Sequence, residues 1–315
     1  MSVAQNDVVD PNVITTIIED GFQDLVRSMR MQNEQNTLWE KFTHKTEANG
    51  AENVLQTWLE DIRAMQAWDS EKQFDDLVER RYKVTHTPWH TGVKMNLRQL
   101  KARIKEFGGM SVSVGVERFA MDIRDKLAHR AAEIDVKKVL DQLTSPTTLG
   151  YDLKALFAAD HEGSQGNQDA GGGAQHHYLM ALGHRGMPVI RVNGGVNDEE
   201  FAIKDHTDEN TWARFLSRDL YWGVEFDGGW FPGEWRTIYR SNQSLDATEL
   251  DSNIQDMSAF VDARGEQQGL VPTHLLVGRS KYRAARALLN TMLVNSGDSN
   301  VDRGIVDIIY SARLP

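Results

Sequence analysis

The sequence contains no cysteine, which excludes disulfides, thiolate metal ligands and a cysteine nucleophile together. The absence fits a reducing compartment. No run of about 18 apolar residues occurs, so no segment is expected to span a membrane. The opening MSVAQNDVVDPN is polar where a secretory leader would place basic and then apolar residues. A soluble protein made inside a cell is expected. Positive charge is scarce: 35 Lys and Arg against 46 Asp and Glu leave a formal charge of −11 and a pI near 5.4. That balance argues against a surface built to grip phosphates, although an acidic shell can enclose nucleic acid without adhering to it. Three catalytic signatures are also missing. There is no G-x-S-x-G nucleophile turn, no GxxxxGK[ST] phosphate loop, and no G-x-G-x-x-G between strand and helix.

What is present is organised around one helix. Across residues 116–143, Phe119, Ile123, Leu127, Ala131 and Ile134 recur in steps of three and four, and Val136, Val139, Leu140 and Leu143 continue the stripe. No proline or glycine interrupts it, and Ser145-Pro146 ends it, because the residue before proline is driven out of the helical region. At 1.5 Å per residue it would be roughly 40 Å long, more than one compact core needs. With Gly108 and Gly109 before it and TTLGYD after it, it reads as a spine. Periodicity alone fits an ordinary long helix of an α/β enzyme equally well.

At 315 residues, the rest of the chain suffices for two or three packing units. Residues 12–48 read as helix through Val13, Ile17, Phe22, Leu25, Val26 and Met29, then Leu38, Trp39 and Phe42. Gly21 and the polar stretch 32–37 allow the halves to kink apart. This segment has too little apolar surface for a core of its own and must lie on its own body or on a neighbour. Further on, Tyr82, Val84 and His86 alternate with polar residues, and Val93, Met95 and Leu97 do so after residues 87–92. The pattern predicts two strands joined by a reversal at 87–92. Such a hairpin is marginal alone, so it is expected as an arm laid on a partner, in preference to a sheet edge. Trp89, Val93 and Met95, flanked by Arg80, Arg81, Lys83 and Lys94, would be an aggregation liability in a monomer and an anchor in an assembly.

Beyond the spine, residues 160–178 form a glycine-rich loop of the length that is usually functional or mobile. Residues 178–243, dense in Trp and Gly, read as strands and turns. The last third is regular. A helix through Leu250, Ile254, Met257 and Val261 ends at Gly265, and a buried strand follows at 272–278. Ser280 is the expected N-cap of a helix through Tyr282, Ala285, Leu289 and Met292 that ends near Gly297. A strand at 305–310 completes an α/β layer.

One cluster invites a metal reading: Asp160, His161, Glu162 and Asp169, then His176, His177 and His184. Its spacing matches neither an EF-hand loop nor HExxH, and adjacent His176 and His177 would diverge on a strand. It is read as a solvated loop, so no catalytic, cofactor-binding or metal residue is assigned. Lys126, His129, Arg130, Glu133 and Lys137 read as solvated or intersubunit helix faces. Trp212, Trp222, Trp230 and Trp235 read as core and interface anchors in preference to a sugar platform.

The order of these parts resembles the major head (capsid) subunit of Mu-like phages and prophages, which has the Hong Kong 97-type capsid fold. The matching stretches are Trp58-Leu59-Glu60-Asp61, Tyr151-Asp152 with residues 156–161, and residues 245–311. In the last, Pro272, the LLV strand, Ala285-Arg286-Ala287-Leu288-Leu289 and IVDIIYS fall in the family's order. Each is a loose apolar pattern, and their order over roughly two-thirds of the chain carries the likeness. The resemblance implies an α+β fold with an N-terminal arm (1–50), an extended hairpin loop with a flanking helix (51–110), and the spine helix of a peripheral domain (111–145). An axial domain (146–300) and a closing strand (301–315) would follow. Residues 162–243 align poorly, which leaves open how the spine domain's sheet is completed. The resemblance also implies a non-enzymatic shell protein without cofactor or membrane, assembled in the host cytoplasm into a virion capsid. Copies would form pentamers and hexamers of an icosahedral shell around packaged double-stranded DNA, touched non-specifically. Portal, scaffold or protease and decoration proteins would be its other partners. Two alternatives stand beside it: the shell of an encapsulin-like nanocompartment, and a metal-dependent enzyme using the histidine loop.

Overall fold

The computed structural model describes residues 11–48, 51, 53–59, 79–108, 112–161, 165–169, 171, 173–183, 186–195, 200–206, 219–262, 264–292 and 299–315. The chain opens with α1 (Pro11–Glu19), α2 (Phe22–Gln32) and α3 (Glu34–Thr37), then a 3-10 turn at Leu38–Phe42. Next come β1 (Thr43–Glu47), β2 (Asn53–Leu59), β3 (Glu79–Thr85), β4 (Thr87–Asn96), α4 (Leu97–Gly108) and the spine, α5 (Val112–Thr144). Strands β5 (Gln168–Asp169), β6 (His177–Met180), β7 (Val189–Asn193), β8 (Ala202–His206), β9 (Asp219–Pro232) and β10 (Ile238–Ser241) follow. The last elements are α6 (Ala247–Ser258), β11 (His274–Val277), α7 (Arg279–Asn290) and β12 (Asp307–Tyr310).

The 33 residues of α5 make a rod of about 50 Å, which stops one residue before Ser145-Pro146. Its expected stripe is inside: Phe119, Ile123, Leu127 and Ala131 are buried, and Ile134 is half-buried. The helix is covered from more than one side. Ile14, Ile18, Phe22 and Val26 of α1 and α2 pack along it, as do Leu100 and Ile104 of α4. Ala120, Ala128 and Ala132 are fully buried, and their small side chains let these neighbours approach. The N-terminal segment therefore rests on its own body. It turns between α1 and α2 at Gly21, whose φ of 66° favours glycine.

The first sheet runs β1-β7-β9-β4, with β8 on a further stretch of β9. Here the hairpin expected with its reversal at 87–92 is corrected. Those residues do not turn; β4 runs straight through them, antiparallel to β9 from Thr87↔Gly228 to Asn96↔Asp219. The glycine that suggested a turn serves close approach instead. Gly92 faces Gly223, and a Cβ on Gly92 would stand 2.9 Å from the Trp222 carbonyl oxygen. Pro88 is tolerated because β4 closes the sheet on one side, where an N–H is dispensable. The true partner of β3 is β2, antiparallel from Asn53↔Thr85 to Leu59↔Glu79. Residues 60–78, which join these two strands, lie outside the described residues.

The strand order also answers what residues 162–243 left open, namely how the sheet under the spine is completed. Strands β7, β8 and β9 come from the stretch that aligned poorly, and they complete the sheet under the spine. The second sheet has the order β12-β11-β6-β10-β5. It therefore draws its strands from both sides of that excursion and includes the closing strand, parallel to β11. Leu275, Leu276, Val277, Tyr178, Leu179, Met180 and Ile238 fill its core. Tyr178 donates its hydroxyl to the Leu143 carbonyl at 3.3 Å, tying the end of the spine to this sheet. Helix α7 is capped by Gly278 and not by Ser280, whose hydroxyl instead donates to the Pro315 carbonyl at 3.0 Å. The helix ends at Asn290, short of the expected Gly297.

Candidate functional site

The five described candidate metal ligands are not brought together into one site. Asp160 is exposed and pairs with Lys154, which holds its carboxyl below the usual range. Asp169 lies on β5, where Gln243 donates to it at 3.4 Å. Glu162 and His184 lie outside the described residues. His161 is buried, with Nδ1 2.5 Å from Asp152 Oδ2 and its ring stacked on Trp235 at 4.2 Å. An Asp–His pair suggests a catalytic dyad. However, no described residue hydrogen-bonds Nε2, and the bond to Asp152 joins the two ends of the 152–161 loop after the spine. His176 stacks on Tyr178, whereas His177 turns to α6 and α7. Among the described residues no group of three His, Cys, Asp or Glu could hold a metal ion.

His177 has a role that spacing did not suggest. Lys281 Nζ lies 3.0 Å from its Nδ1, and Asn253 Nδ2 lies 3.3 Å from its Nε2. Burial, and then the Lys281 charge, push its pKa from 6.5 to about 3. The folded chain thus holds the ring neutral, whereas the unfolded chain protonates it below about 6.5. Its contribution is complete above that value and is lost as pH falls toward 3. We expect unfolding free energy to drop by about 1.4 kcal/mol per pH unit on this account between roughly pH 6 and 4. Urea midpoints of His177→Gln should fall less steeply over that range. Equal slopes in both proteins would remove His177 as the cause.

A buried charge cluster joins four elements. Asp135, fully buried on α5, accepts from Arg191 Nε on β7 at 2.9 Å, Arg30 Nη2 on α2 at 2.8 Å and Trp230 Nε1 on β9 at 3.1 Å. Glu200 bonds Arg30 at 2.7 Å and also pairs with Arg191. Burial pushes the Glu200 carboxyl up, but the two guanidinium groups outweigh it and hold it below the ordinary range. The Arg191 guanidinium lies 5.0 Å from the Phe226 ring centre and 5.6 Å from that of Trp39. Every charge here is answered from within the chain, so the cluster pins α2, the spine and the sheet together. It was missed in the sequence, although a signal existed. Asp135 stands four residues after Ala131 and four before Val139, within the apolar stripe, and a lone carboxylate there requires a buried cation.

The three described tryptophans of the candidate platform are core. Trp222 is fully buried, Trp230 and Trp235 nearly so, and none forms an open platform; Trp212 lies outside the described residues. Trp89 half-covers a groove of about 270 Å³ beside the spine, floored by Ile134, Phe201 and Phe226, with Lys138 Nζ 3.9 Å from its ring centre.

What the body leaves unfinished is the β2–β3 ribbon. Its seven-residue strands extend about 24 Å. At its base Val84 is fully buried and packs with Ala48, Ile190 and Val192, with Val54 and Phe231 alongside. Next to that base, Leu55 is 63% exposed. Among the described residues no strand pairs with the outer edge of β2 or β3. Free backbone donors and acceptors of this kind are a template for another chain, and a two-stranded ribbon is marginal without a covering surface.

A family model described as "Mu-like prophage major head subunit gpT" matches residues 18–314. No curated protein matches the chain. Among solved structures, the capsid of bacteriophage JBD30 shares 11% identity at a TM-score of 0.70, over 87% of this chain and 89% of that one. The JBD30 procapsid shares 15% at 0.67, over 96% and 99%. The JBD30 capsid decorated with minor capsid protein trimers shares 12% at 0.69, over 89% and 90%. At such identities these structures speak for the fold alone, and it is the α+β Hong Kong 97-type capsid fold.

Proposed function

The chain belongs to the Mu-like prophage major head subunit family, and from that premise we propose that its copies form the pentamers and hexamers of an icosahedral shell. It is the major capsid protein of a tailed phage, and it acts in the virion shell. The observation that carries the finer reading is the ribbon, which among the described residues joins neither five-stranded sheet and has a thin apolar base. As the family's extended loop, it gains its missing cover by lying on the neighbouring subunit. Residues 111–145 serve as the spine of the peripheral domain, and the second sheet with α6 and α7 serves as the axial domain. The acidic balance suits a wall that surrounds packaged double-stranded DNA with only non-specific contact.

The same reading makes the chain a structural protein and not an enzyme, needing no cofactor. His161, His177 and Asp135 are each engaged by partners within the fold, which supports that view. Portal, scaffold or protease and decoration proteins are its further partners; the minor capsid protein trimers on the JBD30 capsid support the last of these. Nothing in the fold or the comparisons favours the nanocompartment or the metal enzyme. The test is electron microscopy of the purified, concentrated chain. Closed particles built of five- and six-membered rings are expected. A chain that stays monomeric at every concentration and salt tested would overturn the reading.

A further inference from the structure

The second sheet carries helices of opposite charge. Helix α7, RSKYRAARALLN, has four basic residues and no acidic one, in a chain whose formal charge is −11. Arg279, Arg283 and Arg286 recur in steps of four and three, so they form one stripe, and all three are exposed. Among the described residues no carboxylate lies within ion-pair distance of any of them, although arginines elsewhere, such as Arg30, Arg191 and Arg313, are paired. Helix α6, ATELDSNIQDMS, is the reverse, with three acidic residues and no basic one. Its Asp251 and Asp256, and its N-cap Asp246, are exposed.

The fold sets these helices side by side on one face of the second sheet, where the His177 ring reaches Asn253 of α6 and Lys281 of α7. Helix α6 lies over β10, whose Tyr239 donates to Asp256 at 3.0 Å. Helix α7 lies toward β12, where Tyr282 stacks on Tyr310 with ring centres 4.5 Å apart. Arg286 stands over Tyr282, 5.8 Å from its ring centre. Around the C-terminal end of α7, exposed Arg303 sits among apolar side chains left in water: Met292 at 66%, Val301 at 85% and Ile305 at 47% exposure. Arginine and methionine beside bare apolar surface are what an interface, and not a solvated face, contains.

We propose that a second copy of this chain seats its acidic helix α6 on the Arg279–Arg283–Arg286 stripe of α7. The contact rests on the shell reading above and locates one of its interfaces. Two α7 stripes repel each other, so a pairing of α7 with α7 is disfavoured, whereas α6 of one copy and α7 of another attract.

The experiment reverses the charges. Arg283→Glu with Arg286→Glu should leave the subunit folded by circular dichroism but lower particle yield at least about tenfold, because like charges then meet. Adding Asp251→Lys and Asp256→Lys to the same chain should restore particles, since attraction is rebuilt with its sign reversed. Normal particle yield from the double variant, or no recovery in the quadruple variant while it remains folded, would overturn the contact alone. Normal particles that lose affinity for a 30-base-pair duplex would also overturn it, and would assign the stripe to nucleic acid. No particles from the unsubstituted chain would overturn the shell reading and this contact with it.

Discussion

Asp135→Ala should destabilise the folded chain by about 3–5 kcal/mol, the loss expected when one partner of a buried ion pair is removed. Asp135 is fully buried and answers Arg30, Arg191 and the Trp230 indole within 3.1 Å. Without it, two guanidinium groups share Glu200 alone, and Trp230 Nε1 loses its acceptor. The figure measures orphaned charge. It does not measure the worth of the network over an apolar core, which can be close to nothing. Two controls separate these. Salt up to about 0.5 M should change the loss little, because buried pairs are weakly screened. Asp135→Ala with Arg191→Leu should lose less than the two single variants summed, because the double change removes both the charge and its stranded partner. A urea-unfolding loss below about 1 kcal/mol in Asp135→Ala would mean that the cluster is hydrated and does not pin the spine.

Removing the outer ribbon should abolish closed particles and spare the subunit. Gln56 and Tyr82 face each other in the register, so a Gly-Ser turn joining them deletes residues 57–81 and retains the base. Val84 keeps its contacts with Ala48, Ile190 and Val192, and neither five-stranded sheet includes a deleted residue. Thermal unfolding should therefore move by no more than a few degrees, an effect of about 1 kcal/mol or less. Assembly is different because a shell repeats each contact many times, and interface anchors can carry roughly 2 kcal/mol or more apiece. Complete shells from the shortened chain, seen by electron microscopy, would remove the ribbon from the assembly interface and withdraw the main physical support for its role. A turn placed at residues 88–92 is no substitute for this experiment. Gly92 lies inside β4 against the Trp222 carbonyl, so that change would damage a sheet of the body.

The spine, its end before Ser145-Pro146 and the alternation of helix and strand in the last third were legible because they depend on near neighbours along the chain. A turn of helix is closed by residues four apart, and Phe119, Ile123, Leu127 and Ala131 declare its buried side without reference to anything distant. The apolar pattern also marked β4 and β3 as strands and the aromatic stretch at 178–243 as strands and turns. The burial of Trp222 and Trp235 followed from their size and apolar character. Composition excluded thiolate chemistry outright. The order of parts was enough to indicate the capsid family.

Strand partnership depended on contacts that local sequence does not encode. Period-two alternation says which residues share a face and nothing about which strand lies beside them. The same Thr-Gly-Val that fits a reversal thus proved to be a close crossing with Gly223, more than a hundred residues away. Likewise β3 took β2 as its partner, and β7, β8 and β9 left the second sheet's stretch of sequence to complete the first. Charges behaved in the same way. Asp135, His161 and His177 were visible as residues, but the groups each one meets, Arg191, Asp152 and Asn253, are brought to them by the fold. The sequence determined where the chain is helical, where it is extended and to which family it belongs. Only the tertiary structure decided which polar groups are satisfied within the subunit and which strand edges and charges stay unmet among the described residues, because an unmet hydrogen bond or charge is a property of a place in space and not of a position in the chain.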